Sequence, residues 1–367
     1  MTPLNRRYDI DWIRVIAIGL LLIYHVAICF QRWGIMIGFI TNAEPWEPLW
    51  YPMAGLNTWR IPLLFFVSGM GVYFAMGKRN PWQLLLERGR RILIPLLVGM
   101  VTIVPLHFYL WRIHYNMEAQ YIPGPGHLWF LGNILAYTVV LLPLLYFLKR
   151  NEGGRVVMAL KNLLSSPLGL LPFSALFVAE VLIVKPIPFE LYATTLHGWV
   201  IGFLAFLTGF CFVLAGEGFR TMLMRWRWLF LLLAGALFAY RLSQFPSSSG
   251  FLIALESNCW VYAVLAFGAR YLNRPGPTLS YLSAAAYPVY ILHMAFLSWG
   301  AMLLFPLAID VKLKFALLLA FTIVGCLLVY EFLIRRFAVT RFLFGLRPGS
   351  GQTSKPNPSP GRIASLR

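Results

Sequence analysis

Residues Arg14–His25 read RVIAIGLLLIYH. Ten uncharged, mostly apolar residues separate a guanidinium from an imidazole. On a helix turning about 100° per residue, eleven steps bring His25 to within about 20° of the face that carries Arg14. At about 1.5 Å of rise per residue, the two lie roughly 16 Å apart along the axis. An ionisable side chain inside such a segment is costly and by default functional. The plain alternative is that Arg14 anchors the segment at an interface and His25 is a hydrogen-bonded core residue.

The rest of the chain makes that segment a membrane span. Of 367 residues, 59% are hydrophobic and 12% are charged, against about 25% charge in a soluble domain. Such a chain cannot cover itself with polar surface. The net charge of +18 is not gathered on one polar face, as nucleic-acid binding would need. The cations sit between apolar runs, as in membrane proteins oriented by cytoplasmic Lys and Arg. Cys29, Cys211, Cys259 and Cys326 all fall inside apolar runs without a C-x-x-C pair, so they read as unpaired buried thiols, not as disulfides or metal ligands. The opening MTPLNRRYDIDWIR has no small-residue cleavage site after its apolar run, so a retained first span is expected.

A crossing helix needs about 20 apolar residues. Ten stretches qualify: 12–32, 54–76, 92–111, 128–148, 167–184, 197–215, 228–242, 251–269, 283–305 and 314–334. With this count, 24 Lys and Arg fall on one side and six on the other, leaving Arg241 inside a span. That bias predicts an all-α polytopic protein with about ten transmembrane helices and cytoplasmic N- and C-termini. Residues 1–345 read as one membrane domain. The Pro-, Ser- and Gly-rich residues 346–367 read as a disordered cytoplasmic tail.

Five motifs in order resemble acyltransferase family 3. RYDIDWIRVIAIGLLLIYH carries Arg-x10-His in the first span with Asp11 shortly before Arg14. FFVSG follows in the second span, RGRRILIP enters the third, and HLWFL opens the fourth. The stretch YPVYILH, with Tyr287, Pro288, Tyr290 and His293, is similar to the subgroup of glucan-modifying C-type proteins. The resemblance implies an integral protein of the inner (plasma) membrane. It would move an acyl group, acetyl or succinyl, from a cytoplasmic acyl-CoA to a hydroxyl of an exported glycan or lipid-linked sugar. CoA would be a co-substrate; no tightly bound cofactor is expected. The chain departs from its relatives at Ala284–Ala286, where Ser or Gly is more usual, and in lacking a fused extracytoplasmic hydrolase domain.

The chemistry assigns roles. A sugar hydroxyl needs a base, and imidazole suits that task; His25 is the candidate. Asp11 would orient Arg14, or pair with Arg60 or Arg91. Guanidinium forks match phosphate, so Arg14, Arg88, Arg90 and Arg91 are candidates for CoA, although topology alone also demands such cations. His127 and Trp129 would shape the acyl site or supply a hydrogen-bond donor to a developing oxyanion. Arg60, Glu256, Tyr290 and His293 complete the candidate substrate site, with Glu256 either a sugar ligand or the partner of Arg60, and His293 either a site residue or core. A transporter or flippase of a polysaccharide precursor is the competing class. It lacks support from inverted repeats or matched broken helices. A scaffold for a synthase would make the Arg14/His25 spacing an accident.

Overall fold

The structure is a computed structural model that describes residues 7–245 and 248–346. Every regular element among the described residues is helical. The elements are α1 (Tyr8–Ile28), α2 (Trp50–Met76), α3 (Pro81–His114), α4 (Trp129–Arg150), α5 (Arg155–Leu164), α6 (Leu171–Val184), α7 (Leu196–Leu214), α8 (Glu217–Arg225), α9 (Arg227–Ser243), α10 (Gly250–Tyr271), α11 (Pro277–Leu304) and α12 (Val311–Ile334). Nine helices among the described residues are long and apolar enough to cross a membrane, and the α8–α9 pair, bent by 59°, makes a tenth. Backbone polar groups in hydrocarbon must be bonded within the segment, which is why these runs are helices.

Some boundaries differ from those expected. The first span stops at Ile28, where short i→i−3 bonds from Cys29 and Phe30 tighten the last turn, and Arg32–Ile37 is a separate 3₁₀ segment. The third span starts earlier than 92, at Pro81, because Asn80 and Gln83 form a reciprocal capping box. The tail expected to be disordered lies, from residue 347, outside the described residues.

The helix α1 packs against α2, α10, α11 and α12. The closest crossing is α2 on α7. A Cβ on Gly69 would stand 1.9 Å from the Phe206 carbonyl oxygen, and one on Gly209 would stand 2.0 Å from that of Phe66. Two backbones touch there because neither residue has a side chain. Prolines inside spans leave carbonyls without their helical donor, and at two of them a tyrosine supplies it. Pro62 frees the Thr58 carbonyl, which accepts from Tyr192 Oη and Ser257 Oγ, each at 2.9 Å. Pro105 frees the Val101 carbonyl, which accepts from Tyr121 Oη at 2.9 Å.

Cross-links gather the helix ends into two levels. One carries the Tyr8–Asn273, Tyr73–Glu152 and Tyr146–Arg79 hydrogen bonds; it is the basic end. The other carries Gln31–Trp46, Thr41–Tyr115 and Lys314–Asn42. Between them sits a buried ion pair. Arg241 Nε and Nη2 lie 2.6 and 3.1 Å from the Glu256 carboxylate, and Nη2 also donates to the Ala54 carbonyl at 2.9 Å. Glu256 is therefore the partner of Arg241, not of Arg60.

Two substitutions test this packing by thermal unfolding in detergent. Gly69→Leu is expected to cost about 2–3 kcal/mol or more by forcing α2 and α7 apart. Arg241→Met is expected to cost about 3–5 kcal/mol by stranding the Glu256 carboxylate. Wild-type stability in either would contradict the packing.

Candidate active site

Along α1, Arg14, Ile18, Leu21, Tyr24, His25 and Ile28 form one stripe, the spacing of a single helical face. That stripe is one wall of a cavity of about 1080 Å³. The cavity reaches from Arg14, Arg88 and Arg91 at the basic end to Trp33, Trp50 and Phe245 near the other. The sequence expectation that Arg14 and His25 share a face is met, and the shared face borders a void instead of lipid.

At the basic mouth, Arg14 Nη2 lies 2.9 Å from Asp11 and 2.6 Å from Ser283 Oγ. Of the three partners open to Asp11, Arg14 is the one bonded. Glu87 serves three cations, with Arg91 at 3.0 Å and Arg79 and Arg88 at 3.8 Å. Arg14, Arg88 and Arg91 line this mouth, a concentration of positive charge suited to polyanions. Arg88 Nε is buried without a hydrogen-bond partner, as is Tyr287 Oη on the same wall. The π-helical turn Gly89–Leu93 follows Arg88. Arg88 and Arg91 line the cavity, whereas Arg90 points to the exterior and does not.

His25 sits deeper. Its Nδ1 is 2.8 Å from His293 Nε2, the two rings stack with centroids 5.0 Å apart, and Phe39 packs edge-on at 5.5 Å. His293 is fully buried behind it, with Nδ1 2.7 Å from the Tyr290 carbonyl. A carbonyl only accepts, so His293 Nδ1 carries the hydrogen. With both rings neutral, His293 Nε2 is then an acceptor, and His25 Nδ1–H donates to it. The remaining nitrogen, His25 Nε2, holds a lone pair and makes no protein hydrogen bond among the described residues. His25 lines the cavity, and His293 does not.

His127 and Trp129 also stand on the wall. His127 Nε2 lies 3.0 Å from the Ile291 carbonyl, so its hydrogen is used there, while Nδ1 is buried with no partner. Of the two roles expected for His127, this arrangement fits shaping the site: Nε2 is engaged by the Ile291 carbonyl and Nδ1 is buried. Tyr290 lines the cavity and its hydroxyl donates to the His127 carbonyl. Arg60 lines the cavity and is buried. Glu256 is absent from the wall because Arg241 engages both its oxygens, which corrects the sugar-ligand reading.

Several wall residues were not foreseen. His107, bonded to Ser298 at 2.7 Å, sits in the apolar run LHFYLW, where nothing but its ionisable ring marks it. Ser283 immediately precedes the Ala284–Ala286 departure, which was the available signal. The segment Pro186–Thr194 lines the cavity through Glu190 and Tyr192; as a loop it carries no periodicity to read.

Arg14, Arg88 and Arg91 can take phosphate, and His25 can take a proton from a hydroxyl in the same cavity. No curated protein and no solved structure matches the chain significantly. The acyltransferase domain family matches residues 7–331, a region that holds every residue of the cavity wall. The chain therefore belongs to acyltransferase family 3 and is a multi-pass membrane acyltransferase.

Proposed function

We propose that the chain transfers an acyl group, acetyl or succinyl, from a cytoplasmic acyl-CoA to a hydroxyl of an exported glycan or other cell-envelope acceptor. The inner (plasma) membrane is its place of action. The observation that carries this reading is one cavity with the guanidiniums of Arg14, Arg88 and Arg91 at one end and His25 Nε2, without a protein hydrogen bond among the described residues, deeper in. The excess of cations at the basic end supports a cytoplasmic orientation for it. The CoA phosphates would sit among Arg14, Arg88 and Arg91, and the thioester would extend toward His25.

The step itself balances simply. The acceptor hydroxyl gives its proton to His25 Nε2 as its oxygen attacks the thioester carbonyl. The tetrahedral oxyanion collapses, the C–S bond breaks, and the CoA sulfur leaves with the proton returned by His25. His293 stabilises the imidazolium formed in between by accepting from Nδ1–H. It also prevents the ring from rotating its lone pair away. Asp11 positions Arg14 and does not touch the reacting atoms.

The purified protein in detergent is expected to consume acyl-CoA in the presence of cell-envelope glycan and to label the glycan with acyl. Intact thioester after incubation would favour a transporter. His25→Ala is expected to remain folded and lose about 10²–10⁴-fold in transfer. His293→Phe, which removes the acceptor behind Nδ1, is expected to lower kcat by about 10–100-fold with KM little changed. His293→Gln, which keeps an acceptor, should recover part of that loss. Arg88→Gln is expected to raise KM for acyl-CoA about tenfold with kcat nearly unaltered. Full transfer by His25→Ala would end the base assignment.

A further inference from the structure

Arg60 is 1% exposed, yet no carboxylate lies within ion-pair distance of it among the described residues. Its guanidinium is 4.1 Å from the centre of the Tyr24 ring. Nη1 is 3.5 Å from the Leu20 carbonyl and Nη2 is 3.5 Å from Asn57 Oδ1, both at the limit of a hydrogen bond. Nε is buried with no partner at all. Five N–H donors therefore have two long contacts. A ring face offsets only part of the cost of burying the charge. The carboxylates on this side are engaged elsewhere: Glu256 is bonded to Arg241, and Glu190 lies 3.8 Å from the same Arg241. Arg60 shares the cavity wall with His25, and the ring beneath it belongs to the residue next to His25.

A buried cation without a counter-charge at the edge of a reaction cavity is a receptor waiting for an anion. We infer that Arg60 binds an anionic group, a carboxylate or a phosphate, carried by a substrate into the cavity beside His25. It thereby selects charged substrates over neutral ones. The group arrives on the acyl chain of the donor or on the acceptor. The inference takes the cavity to be the substrate path, as in the acyl-transfer reading, but its outcome is separable from that reading.

The purified protein in detergent is tested for equilibrium binding of two probe pairs. Acetyl-CoA against succinyl-CoA compares a neutral with a charged acyl chain. Glucose against glucose 6-phosphate, in saturating CoA, compares a neutral with a charged sugar. The wild type is expected to prefer the charged member of one pair by about tenfold or more. The pair that discriminates identifies the source of the anion. Arg60→Gln is expected to abolish that preference while leaving the affinity for CoA unchanged. Arg60→Lys keeps the charge without the fork and is expected to retain a reduced preference, which covers the case of a poorly folded Gln variant. No preference in either wild-type pair, or an undiminished preference in Arg60→Gln, would overturn the inference. Failure of all CoA species to bind would instead remove the acyl-transfer reading and leave the sugar pair to judge Arg60.

Discussion

A peptide carbonyl can accept a hydrogen bond but never donate one, and this one-way property orders the protons of the site. The Tyr290 carbonyl assigns the hydrogen of His293 to Nδ1, which turns Nε2 into an acceptor. That acceptor assigns the hydrogen of His25 to Nδ1 and leaves a lone pair on the nitrogen with no protein partner. Among the described residues no carboxylate takes part. In a low-dielectric interior this matters, because a buried carboxylate would bring its own desolvation cost. Here helix geometry does the orienting: Tyr290 and His293 are separated by one turn of α11, and α11 packs against α1.

The helix that carries His25 also carries the phosphate-side cation. Because α1 is unbroken from Tyr8 to Ile28, the axial offset between Arg14 and His25 is fixed by helical rise alone. An extended molecule gripped at the basic mouth therefore presents its far end at a set depth. The supporting wall comes from helices that are individually strained by proline. Pro62 lies two residues from Arg60 and Pro105 two residues from His107. In both helices a tyrosine hydroxyl satisfies the carbonyl that proline exposes. The Tyr192 hydrogen bond also ties the segment Pro186–Thr194 to α2, so the irregular backbone lining the cavity is itself anchored.

The legible parts of the molecule were those governed by short-range periodicity. Spans followed from apolar run length, the shared face of Arg14 and His25 followed from turning angle, and the basic end followed from where the cations fall. What was not legible depended on which helix lies beside which. His293 was weighed as a packed core residue or a site residue and is in a sense both, buried yet bonded to His25; no spacing within α11 announces a partner 268 positions away. Glu256 found Arg241 across an adjacent helix, an outcome that sequence distance does not encode. His107 was missed for the same reason, and Glu190 because its loop carries no periodicity. Among the clustered arginines, topology alone explains basic residues at a span end, so only the three-dimensional wall separates Arg88 and Arg91 from the outward-facing Arg90.

The free nitrogen of His25, on the cavity wall, holds a lone pair. This assignment is tested most directly by nitrogen NMR of protein labelled with ¹⁵N-histidine, with the His25 signals assigned by comparison with His25→Gln. A protonated, pyrrole-type Nδ1 and an unprotonated, pyridine-type Nε2 are expected for His25 at neutral pH. A hydrogen on Nε2, with the lone pair on Nδ1, would contradict it.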